Sequence, residues 1–119
     1  MSSEHHNSPV DEEVISSLLE LGGPELLSEL VDLFCSDAHP QMATLDEAVQ
    51  ADDAARVAEV AHSLKSSCAN LGAMRLSELA KELETAGRSG SLESAAEVIE
   101  VSKIELERVT EALKSHTEE

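Results

Sequence analysis

The sequence predicts an all-α protein, an antiparallel up-and-down four-helix bundle with a short additional helix at its N-terminal end. Three observations support this class. Apolar residues recur at spacings of three and four in five successive segments. Leu and Ala dominate the apolar positions, which favours helices over strands. No segment alternates polar and apolar residues over enough positions to form a strand.

The first helix is predicted over residues 10–21, where several apolar side chains share one face. Gly22 and Gly23 end this helix, because glycine favours the turn that follows a helix. Pro24 comes next and suits the first turn of a second helix, where its missing N–H would be unpaired in any case. We expect the short first helix to cap one end of the bundle.

The second helix is predicted over residues 24–49, and Pro40 lies inside it. A proline in a helix interior removes one backbone hydrogen bond. The apolar spacing resumes after Pro40, so we expect a kink near Gln41 and not the end of the helix.

Three more helices follow, joined by short connections. An aspartate at position 52 or 53 is the expected N-cap of the third, which ends near Gly72. The fourth covers residues 73–86. The fifth, with Ser91 as its expected cap, continues to about Lys114.

The chain has 119 residues, a common size for a single domain. We assign residues 10–114 to one helical domain, residues 1–9 to a flexible N-terminal tail and residues 115–119 to a frayed C-terminal tail. His5 and His6 lie in the first tail without further ligands nearby, so they indicate a tail and not a metal site.

Charge excludes several classes of partner. Eight Lys and Arg against 25 Asp and Glu give a net charge of −17, which repels nucleic acids and anionic membranes.

No apolar run is long enough to span a bilayer, and the N-terminus lacks the features of a signal peptide. Cys35 and Cys68 fit a reducing compartment as two small buried hydrophobes. We therefore expect a monomeric cytoplasmic protein.

His62 is predicted to lie on the solvent face of the third helix. Each helical residue turns 100°, so His62 lies about 160° around the axis from Leu64, which belongs to the core stripe. The residues three and four positions away are small, apart from one lysine: Ala55, Ala58, Lys65, Ser66 and Ala69. A solvated face of so acidic a protein would normally carry Glu and Lys, so this surface leaves room for another protein.

An exposed imidazole is mostly neutral near pH 7 and keeps a nitrogen lone pair. Such a ring attacks phosphorus without a general base. Lys65 is expected to attract the phosphoryl oxygens, and Ser66 to offer a hydroxyl hydrogen bond. The sequence has no glycine-rich phosphate loop and no carboxylates organised for Mg²⁺ around His62. These residues indicate a phosphocarrier without an ATP site, although a lone helical histidine is also a common surface residue.

The resemblance to a known family decides between these interpretations. The string is His62-Ser63-Leu64-Lys65-Ser66-Ser67-Cys68-Ala69-Asn70-Leu71-Gly72-Ala73. It resembles the signature of histidine-containing phosphotransfer (HPt) domains, His-x-Leu-Lys-Gly-Ser-Ser-x-x-Leu-Gly-Ala. The resemblance implies a four-helix bundle in which His62 is the phosphoacceptor, Lys65 its electrostatic partner and Gln41 a polar contact from the adjoining helix.

The resemblance also implies the partners. These are receiver domains that carry the phosphoryl group on aspartate, together with a hybrid sensor kinase, and Mg²⁺ is expected on the receiver and not on this chain. The intact tails indicate a freestanding protein. One position departs from the signature, because Ser66 stands where the family usually has glycine. The small serine is expected to preserve access to His62 but to change the rates of phosphoryl transfer or the preference for partners.

Other interpretations remain open at this stage. The chain is alternatively a non-catalytic adaptor that binds a receiver or kinase without carrying phosphate, or, with less support, a metal-binding bundle. Glu82 and Glu84 are predicted to be an exposed acidic face without paired acid–base chemistry. Arg75 and Lys81, with Lys65, are candidates for a local positive spot. His39 and His116 are expected to be surface residues.

Overall fold

The computed structural model describes residues 8–117. This part of the chain forms four helices and no strands: α1 (Glu12–Gln50), α2 (Ala54–Asn70), α3 (Met74–Ser89) and α4 (Ala95–Thr117). Helix α1 packs against α2 and α4, and α3 packs against the same two helices from the other side. The predicted all-α bundle is therefore confirmed. Among residues 8–117, no helix is long and apolar enough to cross a membrane.

Helix α1 contains both the first and the second predicted helix. Gly23 interrupts it with φ 75° and ψ −174°, a backbone conformation that glycine adopts without a Cβ clash. The break separates a short segment, 12–22, from a long one, 24–50. Pro40 does not interrupt the helix, and Thr44 Oγ1 donates a hydrogen bond to the Pro40 carbonyl at 3.1 Å. The prediction that the helix continues through this proline is confirmed.

The short N-terminal segment is held against the turn between α2 and α3. The Asp11 amide donates a hydrogen bond to the Gly72 carbonyl at 2.8 Å, and Val10 is buried. Gly72 has φ +78°, and a Cβ there would lie 3.0 Å from the Val14 Cβ. Much of the predicted flexible tail, residues 1–7, lies outside the described residues.

The C-terminal helix extends beyond its predicted end. Residues 115–117 are helical, because α4 continues to Thr117, whereas the prediction placed them in a C-terminal tail. His116 Nε2 lies 3.3 Å from Glu12 Oε2, so this last turn is in contact with the beginning of α1. Residues 118–119 lie outside the described residues.

The core is aliphatic, with Phe34 as its sole aromatic contributor. Its completely buried members come from all four helices and include Leu27, Leu45, Leu64, Leu76, Leu83, Ile99, Leu106 and Leu113. Cys68 is also buried, which raises the pKa of its thiol to about 12, and Cys35 is half-buried. Both thiols are free, as expected for cysteines that pack as small hydrophobes.

Gly87 sets the distance between α3 and α2. A Cβ at this position would lie 2.6 Å from both the Ala54 carbonyl oxygen and the Ala58 amide nitrogen. The two backbones approach this closely because Gly87 has no side chain and the residues opposite are alanines. The same approach brings the preceding turn of α3, which carries Glu84, against the middle of α2.

Gly87→Ala is expected to lower the free energy of unfolding by about 1–3 kcal/mol, because the added methyl group forces the two helices apart. Urea unfolding followed by circular dichroism measures the change. Thr85→Ala, an exposed change on the same helix, should stay within about 0.5 kcal/mol of the unaltered protein. An unchanged stability for Gly87→Ala would contradict the close approach of α2 and α3.

Candidate functional site

His62 lies in the middle of α2 and points out of the bundle. Its side chain is 57% exposed, whereas Ala61 and Leu64 on the same helix are buried. Ser66, one turn further on, is also exposed. The exposure expected from the helical geometry is thus confirmed, and another macromolecule has access to the ring.

Glu84 of α3 meets His62, although sequence reasoning placed this glutamate on an exposed acidic face. That prediction is wrong, because the Glu84 side chain is only 7% exposed. Its Oε2 lies 2.9 Å from His62 Nδ1. Helix α3 turns Glu84 toward α2, on the side where Ala80 and Gly87 allow close packing.

Two cations complete the cluster around Glu84. Lys65 Nζ donates a hydrogen bond to Oε1 at 2.8 Å, and an Arg88 guanidinium nitrogen donates to Oε2 at 2.7 Å. The Lys65 side chain is 29% exposed and that of Arg88 is 68% exposed. The carboxylate is therefore almost covered, while its partners remain in reach of solvent.

These contacts determine the ionisation of Glu84. The hydrogen bond from Lys65 is the main cause that lowers the pKa of Glu84 from 4.5 to about 2. Burial opposes this shift, and the hydrogen bond with His62 and the charges of Lys65 and Arg88 add to it. Near neutral pH the carboxylate is ionised, so it accepts hydrogen bonds and cannot donate one.

The ionised carboxylate selects one tautomer of His62. Because Glu84 Oε2 only accepts, the proton between the two side chains belongs to Nδ1 of the imidazole. In the neutral ring the lone pair then lies on Nε2. Nδ1 is engaged with the buried carboxylate, so Nε2 is the ring nitrogen left for an incoming group.

Gln41 lies beside this site without touching the imidazole. Its Nε2 donates a hydrogen bond to Ser63 Oγ at 3.3 Å, which joins α1 to the residue after His62. The Gln41 Oε1 atom is buried and has no hydrogen-bond partner within the described part of the chain. The amide thus holds a buried acceptor without a partner close to Ser63 of α2.

The predicted positive spot has a different composition. Arg75 lies 3.8 Å from Glu105 of α4 and is not part of the Glu84 cluster, and Lys81 is exposed on α3. Arg88, which lies beyond the predicted end of the fourth helix at residue 86, supplies the second cation together with Lys65. Arg88 follows Glu84 by four residues, a spacing that favours an ion pair on a helix and was the one local signal for it.

An apolar groove runs along the α1–α2 seam. It is lined by Leu30, Leu33, Phe34, Asp37, Ser67, Asn70 and Leu71. Leu33 is 60% exposed, a large exposure for a leucine. The groove reaches Ser67, one helical turn beyond Ser63, so it continues the exposed face of α2 on which His62 stands.

Within residues 8–117, no group of three or more His, Cys, Asp and Glu is arranged to hold a metal ion. His39 is exposed on α1. The His5–His6 pair lies outside the described residues.

An exposed mid-helix histidine on a helical bundle is the arrangement that the resemblance to HPt domains predicts. A family model described as Hpt domain matches residues 29–116. The chain is 31% identical over 105 residues to phosphorelay protein LuxU of Vibrio cholerae, which covers 88% of this chain and 87% of that protein. It is 29% identical over 91 residues to LuxU of Vibrio vulnificus, covering 76% and 79%.

A solved structure agrees with these relatives. The crystal structure of histidine-containing phosphotransfer protein B (HptB) from Pseudomonas aeruginosa PAO1 is similar with a TM-score of 0.87 and 33% identity. The similarity covers 93% of this chain and 96% of that one. The chain belongs to the Hpt domain family, and its function is histidine phosphotransfer in a phosphorelay.

The low pKa of Glu84 makes its contribution to stability depend on pH. The ionised form is favoured in the folded state, so the contribution is complete above about pH 5 and is lost as the pH falls from 4.5 toward 2. Glu84→Gln should therefore cost about 1 kcal/mol or more in unfolding free energy at pH 7, and the difference should shrink by pH 3.

Urea unfolding at the two pH values measures this difference. Glu82→Gln, an exposed change on the same helix, should stay within about 0.5 kcal/mol of the unaltered protein at both. A cost of Glu84→Gln that is the same at pH 3 and pH 7 would contradict the assignment.

Proposed function

We propose that His62 is the phosphoacceptor of this domain and that its Nε2 is the nucleophile. The observation that carries the proposal is the 2.9 Å contact of Nδ1 with buried Glu84, in a ring that is 57% exposed. The contact directs the lone pair to Nε2, and the exposure lets a partner's aspartyl phosphate approach it. The family signature that begins at His62 supports the same residue.

The transfer needs no proton shuttle. The Nε2 lone pair forms a bond to phosphorus while the bond from phosphorus to the aspartyl oxygen of the donor breaks, and that oxygen leaves as a carboxylate. The imidazole keeps its Nδ1 proton and becomes cationic. Glu84 stabilises this cation through the hydrogen bond that is already in place.

Return of the phosphoryl group uses the same arrangement. A carboxylate of the next receiver attacks phosphorus, the N–P bond breaks, and its electrons return to Nε2. Because Nδ1 stays protonated, the leaving group is neutral imidazole and not an imidazolate anion. Glu84 thereby supports a phosphohistidine that is made and consumed with similar ease.

Lys65 is the proposed electrostatic partner of the phosphoryl oxygens. It follows His62 by three residues on α2, so both side chains lie on neighbouring positions of one helical face. Its Nζ donates a hydrogen bond to Glu84 Oε1 at 2.8 Å. Ser66 and Gln41 are proposed polar contacts at the edge of the site, and the Gln41 amide nitrogen contacts Ser63 beside His62.

The family implies receiver-domain or kinase partners. We propose that a receiver domain docks over the exposed face of α2 and the groove along α1, where Leu33 presents apolar surface. The receiver supplies the Mg²⁺ that its own aspartate chemistry needs. We further propose a monomer that works in the cytoplasm between a hybrid sensor kinase and a response regulator.

His62→Gln is expected to abolish phosphoryl transfer, because the amide has no nucleophilic lone pair on nitrogen. The measurement is transfer of ³²P from a phosphorylated receiver domain to the protein. His39→Gln, a change at an exposed histidine of α1, is the matched control and should retain transfer. Label that persists in His62→Gln would refute the assignment of the acceptor.

Glu84→Gln is expected to lower the transfer rate at saturating receiver about tenfold, since a neutral acceptor stabilises the cationic ring less than a carboxylate does. The receiver concentration at half-saturation should change little, because Glu84 is buried and does not reach the partner. Glu82→Gln serves as the control on the same helix. Equal rates for the two variants would show that Glu84 has no part in transfer.

A further inference from the structure

The ammonium group of Lys65 has two anionic partners in the proposed mechanism, Glu84 and the phosphoryl group on His62, and it cannot pair fully with both at once. In the structure its ammonium group is 2.8 Å from Glu84 Oε1, and that hydrogen bond is the main cause of the low Glu84 pKa. In the proposed transfer step, the same ammonium group moves toward the oxygens of the phosphoryl group on His62. If Glu84 had no other cation, moving Lys65 would leave a nearly buried carboxylate with the imidazole alone.

Arg88 is positioned to remain as the cation of Glu84 when Lys65 moves away. Its guanidinium donates to Glu84 Oε2 at 2.7 Å, on the oxygen that also accepts from His62 Nδ1, whereas Lys65 occupies Oε1. Arg88 and Glu84 lie four residues apart on α3, so their contact does not depend on α2. Lys65 lies on α2 with His62 and is free to turn toward its neighbour without disturbing α3.

The charges of the Glu84 cluster support different roles for Lys65 and Arg88. One carboxylate contacts two cations, so with a neutral imidazole the cluster holds one positive charge in excess while the chain as a whole carries −17. The phosphoryl group is an anion of about two charges at neutral pH. A cluster with an excess cation is therefore suited to receive it.

Resting on the function proposed above, we propose that Arg88 is a positioning residue that holds Glu84 while Lys65 turns to the phosphoryl group. Arg88 does not touch the reacting atoms. It keeps Glu84 paired with a cation and in contact with Nδ1 through the transfer, which lowers the cost of releasing Lys65. Without Arg88, Lys65 is retained by Glu84, and the developing charge on the phosphoryl oxygens is left without its counterion.

A donor without a docking surface separates this role from a contact with the receiver. Phosphoramidate donates its phosphoryl group to the imidazole and releases ammonia, so its rate of loading on His62 depends on the domain alone. Arg88→Gln is expected to load about tenfold more slowly than the unaltered protein. Arg88→Lys should recover most of the rate, because it restores the cation. Both rates are followed by ³¹P NMR.

Arg108→Gln is the matched control. Arg108 is also a partly exposed arginine paired within its own helix to a buried glutamate, Glu105, at 2.9 Å. This variant removes the same charge from the protein and should load at the normal rate. Urea unfolding of both variants shows whether a loss of folded protein accounts for any slow loading.

A double variant tests whether Arg88 acts through Glu84. In a Glu84→Gln background, adding Arg88→Gln is expected to change the loading rate less than twofold. The proposal is overturned if Arg88→Gln loads as fast as Arg108→Gln, or if it slows loading equally with and without Glu84. Loading that persists in His62→Gln would instead refute the proposed acceptor, so the two failures are distinguishable.

Discussion

The hydrogen bond between His62 and Glu84 connects the fold of this domain to its chemistry. An exposed imidazole on a helix has two accessible tautomers and more than one accessible rotamer. The carboxylate of α3 restricts both, because its Oε2 accepts a hydrogen bond from Nδ1 at 2.9 Å and leaves Nε2 without this contact. In the proposed transfer, this contact supplies an oriented nucleophile and a counterion for the cationic ring.

That hydrogen bond depends on helix packing. Glu84 reaches His62 because Gly87 lets α3 lie directly against Ala54 and Ala58 of α2. A buried carboxylate would be costly in such a seam without partners. Lys65 and Arg88 supply them, so the same two cations that stabilise the seam also keep Glu84 an obligate acceptor. Stability and reactivity therefore rest on one set of contacts.

Helical periodicity was sufficient to predict the bundle and the exposure of His62. Both follow from the 100° rotation per residue of an α-helix and from the apolar stripe that each helix turns toward the core. It was insufficient for Glu84, whose partner lies 22 residues away on another helix. Whether Glu84 is buried depends on how closely α2 and α3 approach each other. The sequence near Glu84 offers only Gly87 and Arg88 as signals, and these do not define the distance between the two helices. The family resemblance predicted Gln41 only as a polar contact from the adjoining helix, and its hydrogen bond to Ser63 was not predicted. The helical state of residues 115–117 was also missed.

The most direct test is the tautomer of the His62 ring in the unphosphorylated protein. Nitrogen-15 chemical shifts of the imidazole, recorded at pH 8 on uniformly labelled protein, distinguish a protonated Nδ1 from a protonated Nε2. The structure predicts that Nδ1 carries the proton and that Nε2 shows the shift of an unprotonated nitrogen. A ring that is protonated mainly at Nε2 would place the lone pair toward Glu84 and contradict the mechanism.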